Sequence, residues 1–409
     1  VKHRRKNWQM PLEVLMEDEM TFDYQICDSD KCTGCFACMN KCPKSAITCG
    51  VDKIGRTLPV IDKERCVRCG ICLRTCPVNN PYELQEPRSC YAAQRKNKED
   101  REQSSSGGIA AVLSEYVIST GGSVFGAAVD EKGKVCHICA KTKEQIDRLR
   151  GSKYVQSDIG FCFRDVEREL KEGRKVLFVG TPCQVSGLKH YIGKDNENLY
   201  CVDLICHGVP PMQYLKEHYA TVAGEKEIDR VSFRNPSIGF CLSIQEKGQT
   251  IYTADRFHDT YFHSFFHALT YRENCYQCSY AERKRCSDMT IGDFWGIDRK
   301  SLKNIKSGYI SVALINSQKG QELFEKIKAQ LNFEERAISE AVAGNKQLQV
   351  PSIKHKLRDQ FLNSYENTKN FDEAIEHVGI VREMRIESIK GKIEWLKNKV
   401  MWKLNSVLR

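Results

Sequence analysis

Cys32-Thr-Gly-Cys35-Phe-Ala-Cys38-Met-Asn-Lys-Cys42-Pro43 and Cys66-Val-Arg-Cys69-Gly-Ile-Cys72-Leu-Arg-Thr-Cys76-Pro77 are one pattern written twice, 34 residues apart. Each half reads C-x2-C-x2-C-x3-C-P, and the stretch between them carries Ile47, Gly55, Pro59 and Ile61 in short apolar runs suited to small strands. Three thiolates at i, i+3 and i+6 wrap three corners of one cubane, while the fourth Cys, before Pro, crosses to the other cluster. This assigns Cys32, Cys35, Cys38 and Cys76 to one 4Fe-4S cluster, and Cys66, Cys69, Cys72 and Cys42 to a second. Two identical quartets make a poor zinc design, because zinc sites use paired ligands. Gly34 and Gly70, between ligands, let the backbone approach the clusters and aim N–H groups at the sulfides, which tunes their potential.

Around this run the chain is of ordinary composition. Its 409 residues are 41% hydrophobic, enough for two or three folded units, and 63 Lys and Arg face 53 Asp and Glu. The charges are interspersed, apart from a basic start (Lys2, Arg4, Arg5, Lys6) and a basic end after Arg382. Neither end carries a stacking-aromatic motif, so nucleic acid is not the expected partner. No apolar run has membrane-span length and no apolar signal core follows the basic start, which points to a cytoplasmic protein. Twenty-one cysteines in such a chain argue metal or redox chemistry over a disulfide scaffold. The chain divides into an N-terminal extension (1–22, with Met20 the expected natural start), a two-cluster ferredoxin-type domain (23–88), a body (89–350) and a helical C-terminal region (351–409).

Beyond a linker with Pro81, Pro87 and the charged stretch Arg95 to Glu102, Ser104-Ser105-Ser106-Gly107-Gly108 precede Ile109, Val112, Leu113, Tyr116 and Val117 at helical spacing. Strand-like runs (Ser123–Val129, Val176–Val179, Tyr200–Ile205) then alternate with helix-like ones (around Gln145–Arg150 and Phe163–Lys171). Val231 to Tyr252 is richer in strand signals, and residues from Gln321 onward read mainly as helices. The expected class is α+β: a ferredoxin-like two-cluster domain, a mixed α/β body and a helical tail.

Two strand exits in the body deliver a cysteine to a Gly-containing turn, Gly180-Thr-Pro-Cys183 and Cys206-His207-Gly208, and Cys275-Tyr-Gln-Cys278 supplies another pair. Ligands of open α/β sheets gather beyond strand ends, so these four cysteines would make a third thiolate site. The competing reading is apolar packing, Cys286 competes as a ligand, and Cys201, Cys27, Cys49, Cys90, Cys136, Cys139, Cys162 and Cys241 read as structural. The serine-glycine turn is an anion site by construction, since the following helix presents unpaired N–H groups, and a dinucleotide pyrophosphate fits there. Gly151-Ser-Lys153-Tyr154 can add a cation and an aromatic ring. His207 is the candidate proton shuttle, against an equally ordinary structural histidine.

Taken in order, the run 32–77, Ser105-Ser106-Gly107-Gly108, Gly151-Ser-Lys-Tyr154, Gly180-Thr-Pro-Cys-Gln184, Cys206-His-Gly208, Cys275-x-x-Cys278 and Gly292-Asp-Phe-Trp-Gly296 resemble the beta subunits of coenzyme F420 hydrogenases and dehydrogenases. The ferredoxin run alone is unspecific, whereas the ordered set from Cys32 to Gly296 is specific. The resemblance implies an iron–sulfur flavoprotein that binds FAD and moves electrons between clusters and a deazaflavin or another two-electron partner. It also implies a third 4Fe-4S cluster on Cys183, Cys206, Cys275 and Cys278, and a flavin held by Ser105, Ser106, Gly107, Gly108 and Lys153. It does not fix the substrate, because relatives reduce a chlorophyll precursor and similar bacterial proteins accompany surface-polysaccharide genes.

Near the end of the chain Ile386, Ile389, Ile393, Leu396, Val400, Leu404 and Val407 recur every three or four residues, among eight Lys or Arg and three Glu in 382–409. With Trp395 and Trp402, this basic amphipathic helix suits peripheral contact with an anionic membrane, or docking on its own chain or a partner. The expected activity is that of an iron–sulfur, flavin-dependent oxidoreductase serving a redox partner protein or a small-molecule acceptor. Its rivals are a non-catalytic electron-delivery subunit without flavin and a redox enzyme of surface-polysaccharide synthesis.

Overall fold

The computed structural model describes residues 24–235, 238–305 and 307–407, with backbone alone for 392, 394–396 and 398–407. The extension read at 1–22 and the side chains of Trp395, Leu396, Val400, Trp402, Leu404 and Val407 lie outside the described residues.

The cysteine run folds as two loops, each closing in a short helix, α1 (Ala37–Lys41) and α2 (Ile71–Thr75). Between them β1 (Ile47–Val51) and β2 (Thr57–Ile61) form an antiparallel hairpin in the register Ile47 to Ile61. The sequence repeat reappears in the backbone: residues 34 and 36 have positive φ, and so do their counterparts 68 and 70. Each half places its glycine at a different one of the two left-handed positions, Gly34 in the first and Gly70 in the second. Phe36 and Arg68 hold the remaining two, at a cost of roughly 1–2 kcal/mol each.

The body follows in chain order: β3 (Ser89–Arg95), α3 (Lys98–Glu102), α4 (Ile109–Ser119), β4 (Ser123–Val129), β5 (Val135–Ala140), α5 (Lys143–Leu149), α6 (Cys162–Lys171), β6 (Val176–Gly180), α7 (Pro182–Ile192), β7 (Leu199–Leu204) and α8 (Met212–Ala223). Then β8 (Arg230–Asn235), β9 (Gly239–Glu246) and β10 (Gln249–Asp255) make a separate antiparallel sheet. The chain returns through α9 (Thr260–Phe266) to β11 (Met289–Asp293), β12 (Ser311–Ile315), α10 (Gln318–Ile327), β13 (Leu331–Arg336) and α11 (Ile338–Gly344). It ends in α12 (Arg358–Thr368), α13 (Phe371–His377) and α14 (Ile380–Val407).

The main sheet has the order β13-β3-β12-β11-β7-β6-β4-β5. Its centre, β11-β7-β6-β4, is parallel, and antiparallel strands flank it on both sides. Strands such as Val176-Leu-Phe-Val are unbroken apolar runs because both faces are covered. Val112, Leu113, Leu323 and Phe324 of α4 and α10 pack with Val124, Leu177 and Val202 on one face. Phe163, Val166, Val185 and Leu188 of α6 and α7 pack with Phe125, Phe178 and Cys201 on the other.

Two segments differ from the sequence expectation. β3, within the stretch read as a linker, lies between β12 and β13, and β13 itself forms the sheet edge in a region read as helical. Ala92 and Ala93 carry little strand signal, and β13 is too short for its alternation to stand out from the helices around it. No helix among the described residues is long and apolar enough to cross a membrane.

Candidate functional site

The structure gathers the cysteines of the run into two groups. Cys32, Cys35, Cys38 and Cys76 face one another in buried space, where burial, reinforced by the neighbouring sulfurs, pushes Cys38 well above the ordinary thiol range and Cys35 up to about 12. Cys42, Cys66, Cys69 and Cys72 ring a small cavity floored by Ile47 and Ile61, with Cys69 exposed. Burial disfavours the thiolates of Cys35, Cys38 and Cys72, and a bound cation would supply the charge they lack, so the donor sets fit a metal. Cys27, read as structural, donates its thiol toward Cys32 and Cys76 and lowers the pKa of both.

Cys183, Cys206, Cys275 and Cys278 also converge. Cys183 stands in the first turn of α7, where Thr181 caps the helix and donates its own N–H to Gln184 Oε1 at 3.0 Å. Cys206 follows β7, Cys275 sits on the 3-10 turn Glu273–Gln277, and Cys278 closes that turn. Burial, with the other three sulfurs adding to it, pushes Cys206 well up; burial also lifts Cys275 to about 12 and Cys278 to about 11. Cys286 and Cys201 lie apart from this group, buried near Asp203 and Asp288.

Arg272, which no sequence motif marks, joins this set to the first group. It is 1% exposed and donates to the carbonyls of Cys32 and Thr57, each at 3.0 Å, and to Gln156 Oε1 at 2.8 Å. Burial lowers its pKa, while the sulfurs of Cys32, Cys275 and Cys183 oppose that shift. A Cβ at Gly34 would meet Gln156 Nε2 at 2.4 Å and the guanidinium carbon at 3.2 Å, so this close approach requires glycine.

Beyond the carboxyl ends of the parallel strands lies a cavity of about 820 Å³, of cofactor size and where such sheets place ligands. It runs from the Ser104–Gly108 turn and the first residues of α4 to Cys183 and Cys206. Gly108 starts α4 at φ 88° with no side chain capping the helix, so first-turn N–H groups are presented to an anion. Gly107 is wedged between β3 and β12: its N–H donates to Ser311 Oγ at 2.8 Å, and a Cβ would lie 2.4 Å from the Ala93 oxygen.

The serines of this turn bond protein groups, Ser105 Oγ accepting from Ser152 N at 2.6 Å and Ser106 Oγ from Ser311 Oγ at 2.9 Å. Lys153 lines the cavity, but its ammonium donates to the carbonyls of Leu149 (3.0 Å) and Arg150 (2.8 Å) at the end of α5. Burial, with Arg230 adding to it, pulls its pKa down to about 7. The cation that reaches the turn is Arg234, which donates to the Ser105 carbonyl, to Tyr154 Oη at 3.0 Å and to Asp293 Oδ2 at 2.6 Å. One side chain of β8 thereby ties together three motifs far apart in sequence. Its only signal there was position in a strand. His207 lines the wall beside Cys206, where desolvation lowers its pKa.

Two stretches of the chain match known protein families. Residues 31–80 match the 4Fe-4S dicluster domain, and residues 173–341 match the C terminus of the coenzyme F420 hydrogenase/dehydrogenase beta subunit. No curated protein matches. Among solved structures, a chain of the F420-reducing [NiFe] hydrogenase complex from Methanosarcina barkeri is 19% identical with a TM-score of 0.42, over 73% of this chain and 93% of that one. The chain therefore carries a 4Fe-4S dicluster domain followed by a segment that matches the C terminus of the coenzyme F420 hydrogenase/dehydrogenase beta subunit.

Proposed function

We propose that the chain is an iron–sulfur flavoprotein oxidoreductase, passing electrons between 4Fe-4S clusters and FAD and from there to or from a two-electron substrate. The observation that carries this reading is the extent of the cavity, which starts at the N-terminus of α4 and ends at Cys183 and Cys206. When bound, FAD supplies exchange of two electrons with an organic partner and of single electrons with a cluster. The turn at Gly107 and Gly108 and the first N–H groups of α4 would hold its pyrophosphate, and Arg234 keeps that turn in place. Phe240, Phe266 and Trp295 also line the cavity and would offer apolar surface to a flavin ring. His207, which lines the cavity beside Cys206, would hold or hand on a proton for the substrate.

On this reading the twelve grouped cysteines ligate three clusters, with Arg272 between the first group and the body set. Anaerobic purification with iron, sulfide and flavin measured on one sample tests it. About twelve irons and one FAD per chain are expected. About eight irons with no FAD retained after incubation would overturn it in favour of an electron-delivery subunit.

A further inference from the structure

We infer that His263, His267 and Glu387 form a binding site for a divalent transition ion of the zinc class, fastening α14 to α9. One ligand atom from each of the three lies within 4.8 Å of the others. His263 lies in α9 and His267 just closes it, so the two imidazoles share a helix face with ring centres 4.3 Å apart. Glu387 reaches them from α14, its Oε2 3.1 Å from His267 Nε2.

The state of His263 distinguishes a ligand from ordinary packing. Its Nδ1 lies 3.1 Å from the Arg256 carbonyl oxygen, which only accepts, so the proton sits on Nδ1 and Nε2 carries the lone pair. That Nε2 is buried without a hydrogen-bond partner in a side chain 1% exposed. A carbonyl bond on one ring nitrogen and a bare lone pair on the other is how a metal-binding histidine is oriented. Neutral imidazole is also the form a metal requires, and burial, then the proximity of His267, lowers the His263 pKa.

Two imidazoles and one carboxylate, with no sulfur, suit zinc and its neighbours, with a fourth position left for water. The surroundings supply further support to the ligands' helix. Glu383, one turn before Glu387, pairs with His355 Nε2 at 3.3 Å and Lys356 Nζ at 2.7 Å. Phe265 and Phe266, on the same helix as His263, wall the large cavity, so an ion here would brace that wall as well as α14. Zinc binding at this place is independent of whether the cavity holds flavin.

The test uses the full chain with its clusters in place, stripped of loosely held metal and titrated with Zn2+ alone. We expect one retained zinc per chain whose K-edge absorption shows nitrogen and oxygen neighbours with imidazole scattering and no sulfur. His267→Gln and Glu387→Gln, both at partly exposed side chains, should each weaken zinc binding roughly tenfold or more with iron content unchanged. A wild-type chain that retains no zinc overturns the inference, as does a zinc edge with sulfur neighbours. The wild-type spectrum decides the matter even where a variant fails to fold.

Discussion

Gly107 and His218 show how much a single side chain decides. Adding one methyl group at Gly107 drives it to 2.4 Å from the Ala93 oxygen and 2.7 Å from Ser311 N, both backbone atoms of adjacent strands. Gly107→Ala should therefore destabilise the chain by about 1–3 kcal/mol, seen as a lower denaturation midpoint, and on the proposed flavoprotein reading should loosen FAD retention. An unshifted midpoint would contradict the packing argument. His218 is buried between two carboxylates, with Nδ1 2.9 Å from Asp372 and Nε2 3.0 Å from Asp259. Burial alone would lower its pKa, but the two hydrogen-bonded carboxylates outweigh burial and hold it up at about 9. Because this lies above the unfolded value near 6.5, the stabilisation is fully present below about pH 6.5 and is lost as pH rises through 9, a change of roughly 3 kcal/mol. Unfolding midpoints measured from pH 6 to pH 9.5 should fall accordingly, and Asp372→Asn should flatten the curve. The glycine turn was readable from sequence because its conformation is local. Arg234 and Arg272 were not, because an arginine's importance depends on what the fold brings to its guanidinium.

Among elements, the strand exits matter most. β6 and β7 are adjacent and parallel, with Gly180 opposite Asp203, so the residues that follow them emerge on the same edge. This puts Cys183 and Cys206 at one end of the cavity. Cys69→Ser and Cys183→Ser should each lower iron by about four per chain while leaving the remaining clusters' electron spin resonance signals intact. An unchanged iron count after Cys183→Ser would return the body cysteines to a structural role. The first turns of α14 dock on the chain itself, since Glu383 and Glu387 pair with His355, Lys356 and His267. Ile386, Ile389 and Ile393 remain 43–57% exposed on its outer side.

At the scale of the whole molecule, the question is how the dicluster region is coupled to the body. Arg272 and Gln156 make that coupling: Gln156 donates to the Gly34 carbonyl at 3.4 Å, and Arg272 reaches Cys32 and Thr57 across the same boundary. The guanidinium also adds a positive charge between two sulfur groups in a low-dielectric setting, which favours a reduced cluster. Arg272→Met should cost about 3 kcal/mol, since it leaves buried acceptors unpaired. It should also shift the potential of the cluster nearest Cys32 to more negative values in a redox titration followed by spin resonance. Arg272→Lys should recover part of that shift, and an unmoved potential in both variants would remove the charge argument.

The amino-acid sequence determined on its own the two cysteine quartets, the paired loops and hairpin around them, the glycine turn opening α4 and the parallel strands with cysteines at their exits. Each of these rests on spacing, periodicity or φ preference within a short window, where chain geometry acts before the fold exists. Tertiary structure decided that β3 and β13 join the main sheet, that Lys153 caps α5 while Arg234 secures the glycine turn, and that Arg272 spans two thiolate groups. Apart from the Lys153 cap, which reaches back only three to five residues to the end of α5, these outcomes depend on contacts between segments dozens to hundreds of residues apart, and local sequence encodes the groups that can meet but not which of them do.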